Sequence, residues 1–234
     1  MALAEAIGWL LAPLSGATEH TIAAHVAWHG RLMVVSWGVL LPVGALVARY
    51  FKVRRGQDWP RELDNPWWWH RHRLAQYTGI ALMTIGVGLV WAAGAPSVPG
   101  PAHGVAPWHR WSGWAAFALG WLQVAGAWAR GTKGGPTDAR ADPRDPTTWR
   151  GDHYDMTRHR IAFEWQHKAG GWLAIALACG TLLTGLVNAD APRWMLATIS
   201  GWWLLLAMLA LRWQRDGRRV DTWEAIWGPR RPEG

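Results

Sequence analysis

Half of the 234 residues are hydrophobic, yet the mean hydropathy is close to zero, because long apolar stretches alternate with loops dense in Arg, Asp, Pro and Gly. That alternation excludes an ordinary water-soluble domain and describes a polytopic membrane protein. The single cysteine, Cys179, excludes a disulfide framework, and the net charge of +8 is distributed too one-sidedly to argue for nucleic-acid binding.

Residues 1–16 are apolar but lack the basic start and small-residue cleavage pattern of a secretory signal. Leu3, Ile7, Leu10 and Leu14 are spaced helically, which predicts a short helix on the outer membrane surface within an interfacial segment 1–20. Five spans are then predicted, at 22–50, 67–93, 108–130, 159–187 and 192–213, each near the 20 or so residues a bilayer requires. Together they form an all-α membrane domain over 21–214, with a four-helix core. Between them lie a structured-looking connector at 51–66, a Pro- and Gly-rich loop at 94–107, and the longest loop at 131–157. That last loop reads as a solvated connector, with partner docking as the alternative. An Arg-rich tail, 215–234, follows, and Trp223 and Trp227 are expected to rest at the membrane interface.

Of 24 Lys and Arg, only Arg31, Arg110 and Arg193 lie on the side where the first span starts, and the other 21 lie opposite. By the positive-inside rule the N-terminus is outside and the C-terminus cytoplasmic. The 22 tryptophans cluster at span ends, as in Trp67, Trp68, Trp69, Trp108, Trp111, Trp202 and Trp203, where an indole suits the headgroup region.

Four of the ten histidines each stand near one end of a span, at the head of a helical stripe. From His109 the stripe runs through Gly113, Ala116, Gly120, Gln123 and Ala127, and from His167 through Gly171, Ala174, Ala178, Thr181 and Gly185. His72 leads Gln76, Gly79, Met83 and Gly86, and His29 more loosely leads Met33, Ser36 and Leu40. Close helix packing explains small residues; it does not explain a histidine at the head of each stripe, since intramembrane imidazole is costly unless paired or ligating.

Topology decides which of these can meet. Spans one and three start at the outer face, so His29 and His109 share a depth there, and His72 and His167 share one near the cytoplasm. Two distant pairs with no cysteine or carboxylate at hand do not suit a tetrahedral zinc, whereas two imidazoles suit the axial positions of a haem. No C-x-x-C-H sequence is present, so the expected cofactors are two non-covalent haem b groups, roughly 15–20 Å apart across the membrane. Arg31 and Arg110 outside, and Arg71, Arg73 and Lys168 inside, are candidates for neutralising haem propionates, with interfacial snorkelling as the competing role. His70 points away from the His72 stripe; His20, His103, His153 and His159 fall in terminal, loop or interfacial positions. His25 lies one turn outside His29, with a role in proton gating or reductant contact set against that of a half-solvated interfacial side chain.

The chain resembles the transmembrane cytochrome b561 family, in its bacterial single-domain form. The match is carried by Trp28-His29-Gly30-Arg31-Leu32-Met33, Ser36-Trp37-Gly38, Pro42-Val43-Gly44, and Trp68-Trp69 ahead of His72, Gln76 and Gly79. It continues through His109, Gly113, Gln123, Glu164-Trp165-Gln166-His167-Lys168 with Gly171, and Asp221 to Pro229, and so covers nearly everything after residue 20. The resemblance implies a helical bundle in a bacterial inner membrane that passes electrons between two haem b groups. The donor and acceptor do not transfer with it: a quinol, another small reductant or a redox protein all remain open, as does oxidoreductase activity itself. Two other classes stay in view, a membrane anchor recruiting a redox complex and a transporter using histidines as a proton relay.

Overall fold

The computed structural model describes residues 3–18, 21–94, 104–130 and 158–228, all helix and connecting turns apart from one isolated bridge. His20, His103, His153 and the 131–157 loop lie outside the described residues. The helices are α1 (Leu3–Leu11), α2 (Ala24–Tyr50), α3 (Trp67–Ala92), α4 (Ala106–Trp128), α5 (Arg158–Asn188), α6 (Arg193–Arg215) and α7 (Thr222–Trp227). The five predicted spans fall on α2 to α6 with ends displaced by about two residues at most, the ordinary uncertainty of helix boundaries.

Four of these helices, α2, α3, α5 and α6, are both long and apolar enough to cross a bilayer, as in a multi-pass membrane protein. The expected count of five is therefore reduced to four by this criterion. At 23 residues α4 extends about 34 Å, more than a hydrocarbon core. Its hydropathy is held down by His109, Arg110, Ser112, Gln123 and a run of tryptophans, side chains with a polar atom each.

α2, α3, α4 and α5 share one core, in which Trp37 and Leu41 meet Ile80, Met83, Ala116, Val124, Ala174, Ala178 and Leu182. α6 lies at its edge, touching it through half-buried Trp203 and packing on α2 through Leu46, Tyr50 and Leu206, and leaves Leu204, Met208 and Leu211 exposed on a face suited to lipid. Trp91, Trp108, Trp111, Trp128 and Trp165 are exposed near helix ends, where interfacial anchoring places them.

Mid-way along α2 the helix widens into a π-helical stretch, Val34–Leu40. Its cause is local: Pro42 has no N–H to give the carbonyl four residues back, that of Gly38. The indole nitrogens of Trp202 and Trp203 donate to that carbonyl instead, at 3.0 and 3.1 Å, and so tie α6 to the widened turn; these two tryptophans therefore stand mid-helix and not at a span end as expected. Ser36, fully buried in the same stretch, donates to Gly79 O at 2.7 Å and ties α2 to α3.

Both ends of the described residues are docked. Ser15 bonds Asp190 through its N–H (2.8 Å) and its hydroxyl (2.6 Å), Leu14 N donates to Ala191 O, and Arg193 stacks over Trp9. At the opposite end α7 is capped by Asp221, whose carboxylate accepts from Trp223 N. Ala225 and Ile226 are buried, Asp64 N donates to Ala225 O, and Lys52 Nζ donates to Val220 O at 3.0 Å.

Candidate functional site: two histidine pairs

The fold brings the four histidines together as two pairs. His29 on α2 and His109 on α4 have ring centres 6.3 Å apart, with planes at 88°. His72 on α3 and His167 on α5 have centres 6.2 Å apart, with planes at 83°. All four rings are partly buried.

Each ring is aimed by a bond at Nδ1. His29 donates to Gly86 O at 2.9 Å and, in return, His72 donates to Gly44 O at 3.0 Å, so α2 and α3 anchor one another's histidines. In the other helix pair His109 donates to Thr181 O at 3.0 Å. The counterpart at His167 is a side chain. The Gln123 amide, turned with its nitrogen toward His167, donates to His167 O (3.1 Å) and Nδ1 (2.9 Å), and its oxygen accepts from Gly171 N (3.3 Å) and Gln166 Nε2 (3.1 Å). Fourteen residues separate His72 from Gly86, and His109 from Gln123, so the two pairs lie about 21 Å apart along the helices.

The small residues of the histidine stripes divide into two kinds. Some are required by packing: a Cβ at Gly86 would lie 2.5 Å from Met33 Cε, and one at Gly185 would lie 2.8 Å from His109 Cε1. Others are not. One turn beyond His109 and His167, a Cβ at Gly113 would meet only Thr181 Cγ2 at 3.7 Å, and one at Gly171 only Gln123 at 3.8 Å. Helix packing leaves room at these two positions, as a flat ring beside each histidine requires.

The candidate cations are placed unevenly. Arg31 is exposed and stacks over Trp28, and Arg110 is exposed, both at the His29–His109 end. Arg71 lies over Trp67, and Arg73 over Trp69 and Tyr77. Lys168 is already engaged, with Glu164 at 2.8 Å and Asp221 at 3.7 Å. Three residues that the sequence reading passed over join this second end. Arg130 covers Trp69 at 4.3 Å, buried Arg160 pairs with Glu164 at 3.3 Å, and Lys52 packs over Trp68. Burial moves the Lys52 pKa down to about 8, with Asp221 opposing the shift and Lys168 and Arg49 adding to it.

Phe163 stacks on His167 at 5.2 Å, a contact that its position one turn earlier on α5 makes legible in retrospect. His70 is exposed, and His159 bonds Ala129 O at 2.7 Å, both apart from the pairs. The Nε2 atom of His25 is buried and without a hydrogen-bond partner among the described residues.

Comparison with known proteins finds among its relatives cytochrome b561 and DOMON domain-containing proteins of Arabidopsis thaliana. One is 31% identical over 182 residues, which is 75% of this chain and 35% of the relative. A second is 28% identical over 184 residues, 78% of this chain and 37% of the relative. A third is 36% identical over 99 residues, 41% and 20% of the two chains. The chain thus spans roughly a fifth to two fifths of the length of the curated relatives it matches. These relatives are plant proteins and do not bear on the bacterial single-domain form. No family model matches the chain, and no solved structure matches it. The two longer alignments take in most of the span that carries both histidine pairs, and the chain belongs to the cytochrome b561 family.

Proposed function

We propose that the chain is a transmembrane electron carrier holding two haem b groups, one between His29 and His109 and the other between His72 and His167. The observation that carries this reading is the spacing of the rings. An imidazole nitrogen lies about 2.0 Å from a metal it binds, so two imidazoles that shared one metal would have ring centres roughly 6 Å apart. The 6.3 and 6.2 Å separations in the structure agree with that figure. A haem held between each pair of histidines would supply one-electron chemistry.

The protein's own contribution is orientation. Gly86, Thr181 and Gly44 carbonyls fix the Nδ1 protons of His29, His109 and His72, which leaves Nε2 as the ligating nitrogen. Gly113 and Gly171 keep the neighbouring volume clear. Arg31 and Arg110 at one end, and Arg73 with Lys168 at the other, are assigned to the propionates, with Arg130 and Arg160 reinforcing the second end. Lys168 divides its charge between that role and its two carboxylate partners.

In this reading α4 is a fifth span, the N-terminus and α1 lie outside, and α7 and the tail are cytoplasmic, because 21 of the 24 basic residues fall on that side. The bacterial inner membrane is the location implied by the resemblance. A quinol or another small reductant and a redox protein are the classes of partner proposed.

A dithionite-reduced minus oxidised spectrum and a haem-to-polypeptide ratio test the proposal. The expected result is a b-type spectrum with about two haems per chain; a spectrum without haem b would end it.

A further inference from the structure

Resting on the haem assignment just made, the four histidines are not held alike. A neutral imidazole carries one proton, and ligation through Nε2 requires that proton on Nδ1. For His29, His72 and His109 the group facing Nδ1 is a backbone carbonyl, which can only accept, so the ligating tautomer is built in. For His167 it is the amide of Gln123, which can present either its oxygen or its nitrogen.

We propose that Gln123 is a positioning residue for His167: its amide oxygen holds the Nδ1 proton of the ligating tautomer and thereby sets the electron-donating strength of that ligand. The orientation that satisfies all four surrounding contacts puts the amide nitrogen against Nδ1 and assigns the imidazole proton to Nε2, the tautomer that cannot ligate. Turning the amide presents its oxygen to Nδ1 at the same 2.9 Å. The amide nitrogen then faces Gln166, whose own amide can turn to accept from it. What remains is an oxygen 3.1 Å from His167 O and a nitrogen 3.3 Å from Gly171 N, two like-facing pairs that no other ligand meets. His167 is therefore the ligand with the least secure acceptor.

The sign of the effect follows from ligand basicity. An acceptor on Nδ1–H makes the imidazole a stronger donor and favours ferric iron. An apolar residue at 123 removes that push, and a carboxylate strengthens it.

The test is equilibrium redox titration of the purified protein carrying Gln123→Leu or Gln123→Glu, with haem content measured alongside. In Gln123→Leu one of two couples should rise, its reduced-to-oxidised ratio at fixed potential growing about tenfold, which is 59 mV for one electron. In Gln123→Glu the same couple should fall by at least as much, and the other couple should stay in place in both variants. Loss of one haem from Gln123→Leu, with two retained and one couple lowered in Gln123→Glu, is also the behaviour of a required acceptor. Shifts of the same sign, no shift in either variant, or loss of a haem from both would overturn the proposal in favour of a packing role. A wild-type chain with fewer than two haems would instead remove the reading beneath it.

Discussion

The two histidine pairs have nearly the same ring separation and nearly the same perpendicular geometry, but they are built in different ways. At the His29–His109 end both rings are aimed by carbonyls of the helix backbone, and the nearby cations, Arg31 and Arg110, are exposed. At the His72–His167 end one ring is aimed by an invertible amide, and the surroundings hold Lys52, Arg130, Arg160, Glu164, Lys168 and Asp221. A helix carbonyl cannot change its hydrogen-bonding character, so the first end is rigid by construction. The second end has side chains that can turn or exchange protons, and adjustment belongs there.

The comparison breaks most directly at the histidines proposed as ligands. His109→Ala and His72→Ala should each reduce haem from about two to about one per chain, measured by pyridine haemochrome against protein. If the ends are independent, the haem retained in one variant has the potential and spectrum missing from the other. Loss of both haems from either variant would show that one pair cannot form without the other.

A finer test concerns the room beside each ring. Gly113→Leu and Gly171→Leu should each weaken haem retention at one end only, by on the order of 10- to 100-fold, the range seen when a metal's surroundings are disturbed. A Cβ alone meets nothing closer than 3.7 Å at Gly113, so Gly113→Leu should fold and show its defect in haem content rather than in yield. Full haem occupancy in both variants would mean that the clear volume beside the histidines has another use.

The parts that the sequence made legible are those set by period and by charge. A histidine near the opening of four of the five spans, followed by small or polar residues on one face, is a pattern of 3.6-residue spacing, and it pointed to both pairs. Apolar run length found four helices able to cross a bilayer in the same way, whereas the fifth expected span, α4, carries polar atoms that leave it less apolar than the others. What stayed hidden depends on atoms brought together from distant positions. The effect of Pro42 on Gly38 is local, but that two indoles 164 and 165 residues away would answer it is not. Gln123 could be placed on the His109 stripe from spacing; that its amide reaches His167 on another helix follows only from how α4 and α5 cross. Lys52 gave no signal either, since a lysine just beyond a span reads as solvated, and its partners, the Trp68 ring and the Val220 carbonyl, are distant in sequence.

The seam between the two ends offers a sharper control. Gly38 O accepts from both Trp202 and Trp203, so losing one donor leaves the carbonyl satisfied. Trp202→Phe and Trp203→Phe should each cost less than about 1 kcal/mol beyond lost packing, while the double variant, with the carbonyl unpaired, should cost about 1–3 kcal/mol more than their sum. Thermal unfolding in detergent would measure the cycle. Additive single effects would show that one indole alone holds α6 to the widened turn, and a change in only one haem would show that the seam favours one end.

The smallest expected effect is a pH dependence confined to the His72–His167 end. Lys52 has a folded pKa of about 8 against an ordinary 10.5, burial being the main cause, so between those values the unfolded chain binds the proton that the folded chain releases. Stability therefore rises with pH across that window; below it both states are protonated and the folded chain bears the full penalty of a buried charge. Relative to Lys52→Met, the wild type should gain about 1 kcal/mol between about pH 7 and about pH 9. Asp221 adds nothing to this trend, because its carboxyl is held below the usual range: burial pushes it up, but the Trp223 N–H, Lys168 and Lys52 outweigh that. Parallel unfolding curves for wild type and Lys52→Met across this range would place the ammonium in water, and the chemical contrast between the two ends would then rest on Gln123 and the arginines alone.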